Sequence, residues 1–259
     1  MNTAKRGVHK DPQRAVLTLM ELWDNCNRYK ALQPPEFAMN RLPDIERARF
    51  NMVEQQIRPW EVLDQRVLDL LFRVHREDFV PPQYRALAFV DMEIPIGHGE
   101  KMLAPRVEAR IVQELALEPR DRILEVGTGS GYMTALLASL GGHVVSVEIV
   151  PAFTHAAGAL LAAHGITNLT LETGDAARGW DRHGPYDAIV LTGSVPVLPD
   201  AFPGSLRPGG RLIAVVGEPP VMEAQLITCA TAGAYSTTGL FETCIAPLKN
   251  AVQPERFVF

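Results

Sequence analysis

From residue 119 onward, short apolar runs alternate with longer stretches of helical period. "RILEV" (122–126), "HVVSVE" (143–148), "LTLET" (169–173), "DAIVLT" (187–192) and "GRLIAVVG" (210–217) read as strands. Helical patterns fall at 131–140, at 151–164 and, more briefly, near 199–206. Strand, helix, strand at this spacing predicts parallel strands joined by crossover helices, since parallel neighbours need a long connection. The later segment "EAQLITCATAGAYSTTGLFETCIAPL" holds two β-rich runs about a turn-rich stretch, which predicts an antiparallel pair at the sheet edge. The expectation is a doubly wound α/β domain with a mostly parallel seven-stranded sheet and helices on both faces.

Before residue 119 the pattern is mainly helical. Ala15, Val16, Leu19, Met20, Leu22 and Trp23 recur at helical spacing until "QPPEFAMNRLP" breaks them, and Met39 is an alternative start. Asp44 is a candidate N-cap for "DIERARFNMVEQQIRP", with Ile45, Phe50, Met52, Val53 and Ile57 roughly on one face. "LDQRVLDLLFRVH" predicts a second helix. "PRVEARIVQELAL" predicts a third, with Val107, Ile111, Val112 and Leu115 inward. Between Phe79 and Pro105 the frequent prolines and Gly97-His98-Gly99 predict irregular chain with a few short elements. The division expected is an N-terminal extension (1–43), a helical, substrate-side region (44–118) and an α/β domain (119–259) ending in a β-hairpin.

Composition narrows the classes. The chain has 259 residues, 47% hydrophobic and 21% charged, enough to bury a large core. No run approaches the ~18 apolar residues a membrane helix needs. The net charge is −5, yet residues 1–43 carry seven basic and four acidic side chains, so the remainder carries −8. A net-acidic body is a poor polyanion binder, which argues against a nucleic-acid partner. Cys26, Cys229 and Cys244 are odd in number and widely spaced, without zinc-ligand spacing, so they read as reduced thiols of a cytoplasmic protein with no metal site. The basic N-terminus lacks a clean apolar core and cleavage site, so no secretory signal is expected. His75, His98 and His155 have no nucleophile or metal-ligand companions. Trp60 and Trp180, near turns, read as edges of the core.

The stretch that carries chemistry is "ILEVGTGSGYMTALLASL" (123–140): Glu125 near the end of a strand, then Gly127, Gly129 and Gly131 opening a helix. Glycine belongs where a ligand lies against bare backbone. Glu148 ends the next strand, where a carboxylate can accept both hydroxyls of a ribose, and Asp175 follows the third strand, where it can meet an adenine amino group. Three acids at successive strand ends leave no cradle for a pyrophosphate. They suit a ligand with a cationic amino-acid moiety, such as S-adenosylmethionine with its ammonium and sulfonium.

Together these residues resemble the class I S-adenosylmethionine-dependent methyltransferases, and within them the protein-L-isoaspartate O-methyltransferases. The resemblance runs from about Asp44 to Leu248 through "VHREDFVP" (74–81), Tyr84 to Ala88, Asp91, "IPIGHG", "GDAARGW…GPYDAIVLTG", "SLRPGGRLIAVVG" and "FETCIAPL". It implies a Rossmann-like fold and methyl transfer from S-adenosylmethionine, yielding S-adenosylhomocysteine, to a carboxylate of an isoaspartyl peptide in protein repair. It further implies that Glu125, Gly127, Thr128, Gly129 and Gly131 hold the methionine portion, Glu148 the ribose, and Asp175 with the Ala176 backbone the adenine.

The departures bear on the acceptor. The family's Gly-Gln-Thr-Ile-Ser-x-Pro is here "GEKMLAP" (99–105), so Leu103 stands at the active-site serine and Lys101 at the threonine. Leucine cannot hydrogen-bond a carboxylate, which leaves Lys101 and Arg106 as candidates for that contact and the catalytic residue unknown. Three readings stay open. They are an isoaspartyl methyltransferase that tolerates Leu103, a methyltransferase acting on a small-molecule carboxylate, a hydroxyl or, less favoured, RNA, and a non-catalytic cofactor-binding module. The oligomeric state is not legible.

Overall fold

The computed structural model describes residues 44–254. The expected helix around 15–23, the extension 1–43, Met39 and Cys26 lie outside them. The chain divides into two compact units, Met1–Arg47 and Ala48–Phe259, and the expected boundary at 118/119 lies inside the second.

Helix α1 (Asp44–Asn51) continues as a π-helical turn (Met52–Ile57) and a 3-10 turn (Arg58–Trp60) where Pro59 stops it. Met52, Val53 and Ile57 are buried as the pattern required, whereas Ile45 is exposed. Helix α2 (Gln65–Arg73) is capped by Asp64, whose Oδ1 accepts from the Arg66 N–H at 2.8 Å. Helix α3 (Pro105–Leu115) opens on proline and ends at a left-handed Ala116. Its four predicted inward residues are all buried.

The segment read as irregular contains a small antiparallel hairpin, β1 (Ile94–Gly97) with β2 (Glu100–Met102). Four-residue and three-residue strands are too short to show alternation. The turn between them holds Gly97, His98 and Gly99 all at positive φ, which glycine accommodates on either side of the histidine.

The main sheet is built from β3 (Arg122–Val126), β4 (His143–Glu148), β5 (Leu169–Thr173), β6 (Tyr186–Leu191), β7 (Leu206–Glu218), β8 (Val221–Thr231) and β9 (Ala234–Thr243). Its order is β5-β4-β3-β6-β7-β8-β9, parallel as far as β7 and antiparallel beyond. Helices α4 (Tyr132–Leu140), α5 (Pro151–Ala163) and the short α6 (Ala201–Gly204) connect strands. Successive strand residues point to opposite faces and feed two cores. Ile123, Ala188, Val190, Ile213 and Val215 join the core shared with α2 to α5. Leu124, Ile189, Leu191, Leu212 and Ala214 join the other, closed by Ala176, Tyr186 and Phe202. Because chain order reverses about β3, the connections after β3 and β6 diverge. Between them a crevice opens at the carboxyl ends of the strands.

One polar cluster crosses this apolar architecture. Arg76, 1% exposed, donates to the carbonyls of Ala88 (3.0 Å) and Leu103 (2.6 Å), pairs with the buried Glu108, and lies 5.1 Å from the Tyr132 ring centre. Arg49 pairs with Glu77 in the same buried layer. A lone buried charge is costly, so Arg76→Met is expected to destabilise the fold by about 3–5 kcal/mol, and Arg76→Met with Glu108→Leu by clearly less. Denaturant titration of the two variants checks both values.

Candidate active site

The crevice is open to solvent at its mouth, and about 720 Å³ of space lies within it and that mouth together. Its floor is the turn after β3. Gly127 has φ +98°, and a Cβ there would sit 2.3 Å from Thr192 Oγ1. The Thr192 hydroxyl donates to the Gly127 and Val126 carbonyls, which ties this turn to the end of β6. Gly131, with φ +86°, lets the start of α4 pack on α5, since a Cβ would come within 3.1 Å of Ala157 Cβ. Gly131 serves packing and does not line the crevice.

Glu148 anchors the floor. It is buried, its Oε2 accepts from the Gly129 N–H and its Oε1 from the Val150 N–H, each at 2.9 Å. Two backbone donors fix the carboxylate at the strand end, and each oxygen keeps a lone pair for a ligand. Asp175 lies further along the same wall, its Oδ1 accepting from the Ala177 N–H (3.0 Å) and its Oδ2 from Asn250 Nδ2 (2.8 Å). Ala176 and Phe153 complete this end, and Phe153 is met edge-on by His98 at 5.2 Å.

Glu125 is placed differently from its expected role. It is fully buried behind the glycine turn, does not line the crevice, and accepts from Thr134 Oγ1 at 2.5 Å. Burial raises its carboxyl to about 8, against the opposing pull of the Ser146 and Thr134 hydroxyls. Burial thus favours its neutral form, and its side chain is turned away from the crevice. Thr128 is also buried, sharing a 2.6 Å hydrogen bond with Ser146, and reaches only a small adjoining pocket.

Lys101 in β2 and Leu103 just after it line the same crevice as Thr192 and Gly193. Lys101 pairs with Glu93 at 3.1 Å. Arg106 is not on the crevice wall. It pairs with Asp91 at 3.0 Å and lies 4.4 Å over the Trp60 ring, so that sequence candidate is committed elsewhere. Trp180 likewise stays off the wall, donating to Glu172 and packing over Gly174. Sequence reasoning missed the roof. After β9 the chain returns over the strand ends and places Ala246, Pro247, Leu248 and Lys249 on the crevice, with Leu248 hydrogen-bonded to the Ser194 carbonyl. The run "IAPLKN" has no periodicity that signals such a path.

The residues present fit S-adenosylmethionine. A strand-end carboxylate with free lone pairs faces bare glycine backbone, and Asp175 with the apolar Phe153, Ala176 and Leu248 lines the same crevice. Among the described residues no group of three or more His, Cys, Asp or Glu side chains is placed to hold a metal ion, and no helix is long and apolar enough to cross a membrane.

Burial of Glu125 has a measurable consequence. Its folded value lies above the ordinary carboxylate value, so its contribution is intact below pH ~4.5 and is lost as pH rises towards about 8. Glu125→Gln, which keeps the acceptor for Thr134, is expected to flatten the fall in melting temperature between pH 5 and 8. Thermal unfolding across that range checks the change.

Comparison with known proteins agrees with this geometry. Residues 47–251 match the family model described as protein-L-isoaspartate(D-aspartate) O-methyltransferase. A protein-L-isoaspartate O-methyltransferase of Anaeromyxobacter dehalogenans (strain 2CP-C) is 46% identical over 158 residues, 61% of this chain and 76% of that one. That of Methanoculleus marisnigri is 39% identical over 202 residues, 78% and 91% of the two chains. Among solved structures, a protein-L-isoaspartate O-methyltransferase superposes with a TM-score of 0.68 at 23% identity, over 78% of this chain and 66% of that one. A Plasmodium falciparum protein of that description, in complex with S-adenosyl-L-homocysteine, gives 0.66 at 21% identity, over 80% and 99%. At these identities the two structures show the shared fold. With most of its described length matched by the family model, the chain belongs to the protein-L-isoaspartate(D-aspartate) O-methyltransferase family, the S-adenosylmethionine-dependent methyltransferases of this fold.

Proposed function

We propose that the chain methylates the carboxylate of isoaspartyl residues in aged peptides and proteins, an activity of protein repair in the cytoplasm. The observation that carries this reading is a single crevice. It is lined at once by the glycine turn, Glu148 and Asp175 and by Leu103 and Lys101 of the hairpin side. S-Adenosylmethionine bound there supplies a sulfonium methyl, which a carboxylate oxygen attacks in line as the carbon–sulfur bond breaks to leave S-adenosylhomocysteine.

In this reading Glu148 accepts the ribose hydroxyls, Asp175 and the Ala176 backbone meet the adenine, and the backbone of Gly127 and Gly129 lies along the methionine portion. Glu125 and Thr128 support the turn from behind. Residues 44–118 shape the acceptor side, and residues from 119 onward hold the cofactor. The acceptor carboxylate, with a pKa near ~4, is ionised at neutral pH and needs no general base. The protein's contribution is placement, which in oriented reactions is worth up to about 7–11 kcal/mol of barrier. Arg76 contributes indirectly, since its bond to the Leu103 carbonyl fixes the wall against which the acceptor rests.

The buried, apolar Leu103 favours a second reading, transfer to a different acceptor. Methyl transfer from labelled S-adenosylmethionine to matched isoaspartyl and aspartyl peptides separates the two. The unaltered chain is expected to label the isoaspartyl peptide alone. Labelling no greater than the aspartyl control, gained only on Leu103→Ser, selects the second reading.

A further inference from the structure

With leucine at the serine position, the crevice must find another donor for an acceptor carboxylate. Among the described residues on its wall, three side chains carry N–H or O–H groups: Thr192, Lys101 and Lys249. The Thr192 proton is held by the Val126 and Gly127 carbonyls. Arg106, the other candidate cation, is engaged outside the crevice. The two lysines remain, each paired with a carboxylate on the same wall, Lys101 with Glu93 and Lys249 with Glu100.

We propose that Lys249 recognises the acceptor carboxylate, exchanging Glu100 for the substrate and so standing in for the missing serine. The inference rests on the reading above and names its specificity residue. The exchange is a competition of two carboxylates for one ammonium: the substrate takes over the Lys249 contact, and the displaced Glu100 carboxylate, 28% exposed, must be hydrated instead. It is also accessible. The Lys249 side chain is 40% exposed, and an exposed lysine–glutamate pair is worth at most about 1 kcal/mol, so an entering anion displaces it at little cost. Inside the crevice the new pair is a charge-assisted hydrogen bond with less competing water. Lys249 lines the same crevice as Leu103, whose side chain has no polar atom to hold the anion itself.

Steady-state methyl transfer to an isoaspartyl peptide tests the assignment, with Lys249→Met, Lys249→Arg and Glu100→Gln measured beside the unaltered chain. Lys249→Met is expected to raise KM about tenfold, with kcat changed by less than about twofold, the loss of one charge-assisted hydrogen bond. Affinity for S-adenosylhomocysteine, read by calorimetry, is expected to stay the same. Lys249→Arg restores most of the affinity. Glu100→Gln decides between recognition and mere bracing of the returning segment. It breaks the same pair as Lys249→Met, so a structural role makes both raise KM, whereas exchange predicts that Glu100→Gln lowers it. A rise in KM for Glu100→Gln, or an unchanged KM for Lys249→Met, overturns the assignment and leaves the methyltransferase reading standing. Absence of turnover by the unaltered chain overturns both.

Discussion

The Glu148 carboxylate is held by two backbone N–H groups from different sides, Gly129 in the turn after β3 and Val150 in the turn after β4. That arrangement makes one side chain the tie between the two connections that border the crevice. It also explains why the turn is rich in glycine. The chain must leave β3 under Thr192 with no side chain at Gly127, then present an N–H to the next strand's acid. A carboxylate satisfied by backbone donors is fixed in place, and what remains of its lone pairs faces the cavity.

Around this tie the molecule uses buried charge in two different ways. Arg76 and Glu108 compensate one another inside the core, and the arginine uses its remaining N–H groups to fix the carbonyls of Ala88 and Leu103. Glu125, by contrast, pairs with no cation among the described residues, and burial pushes its carboxyl up to about 8. The first arrangement connects the helical region to the acceptor wall; the second supports the glycine turn from below. Both place the cost of burying a polar group next to the site that requires rigidity.

The sheet was legible because buried parallel strands read as short apolar runs, and β4 and β5 occupy the residues their patterns predict. The ends of β6 and β7 differ from expectation by a few residues, where pairing with neighbours extends the ladder beyond the apolar run. The hairpin β1–β2 was foreseen only as short elements of no stated type among prolines and glycines, and the π turn after α1 cannot be told from continued helix by period. On the crevice wall, the places of Glu148, Asp175, Gly127 and Gly129 were legible because they follow from strand ends, whereas Gly131 packs on α5 instead. Depth was not legible. Nothing in "ILEVGTGSG" says that Glu125 and Thr128 turn away from the crevice, since both depend on packing against Thr134 and Ser146. The returning segment was invisible for a related reason: its course is set by hydrogen bonds to Ser194 from across the sheet.

The central claim is that the doubly tied Glu148 carboxylate is what orders the crevice for its nucleoside ligand. Calorimetric titration of S-adenosylhomocysteine into the unaltered chain and Glu148→Gln tests it most directly. The amide keeps one acceptor but turns its NH₂ towards the second backbone donor, so the account predicts affinity lower by about 10- to 100-fold, the worth of a hydrogen bond to a charged group. Equal affinity in a folded variant would contradict it, and would move the origin of cofactor binding away from this carboxylate.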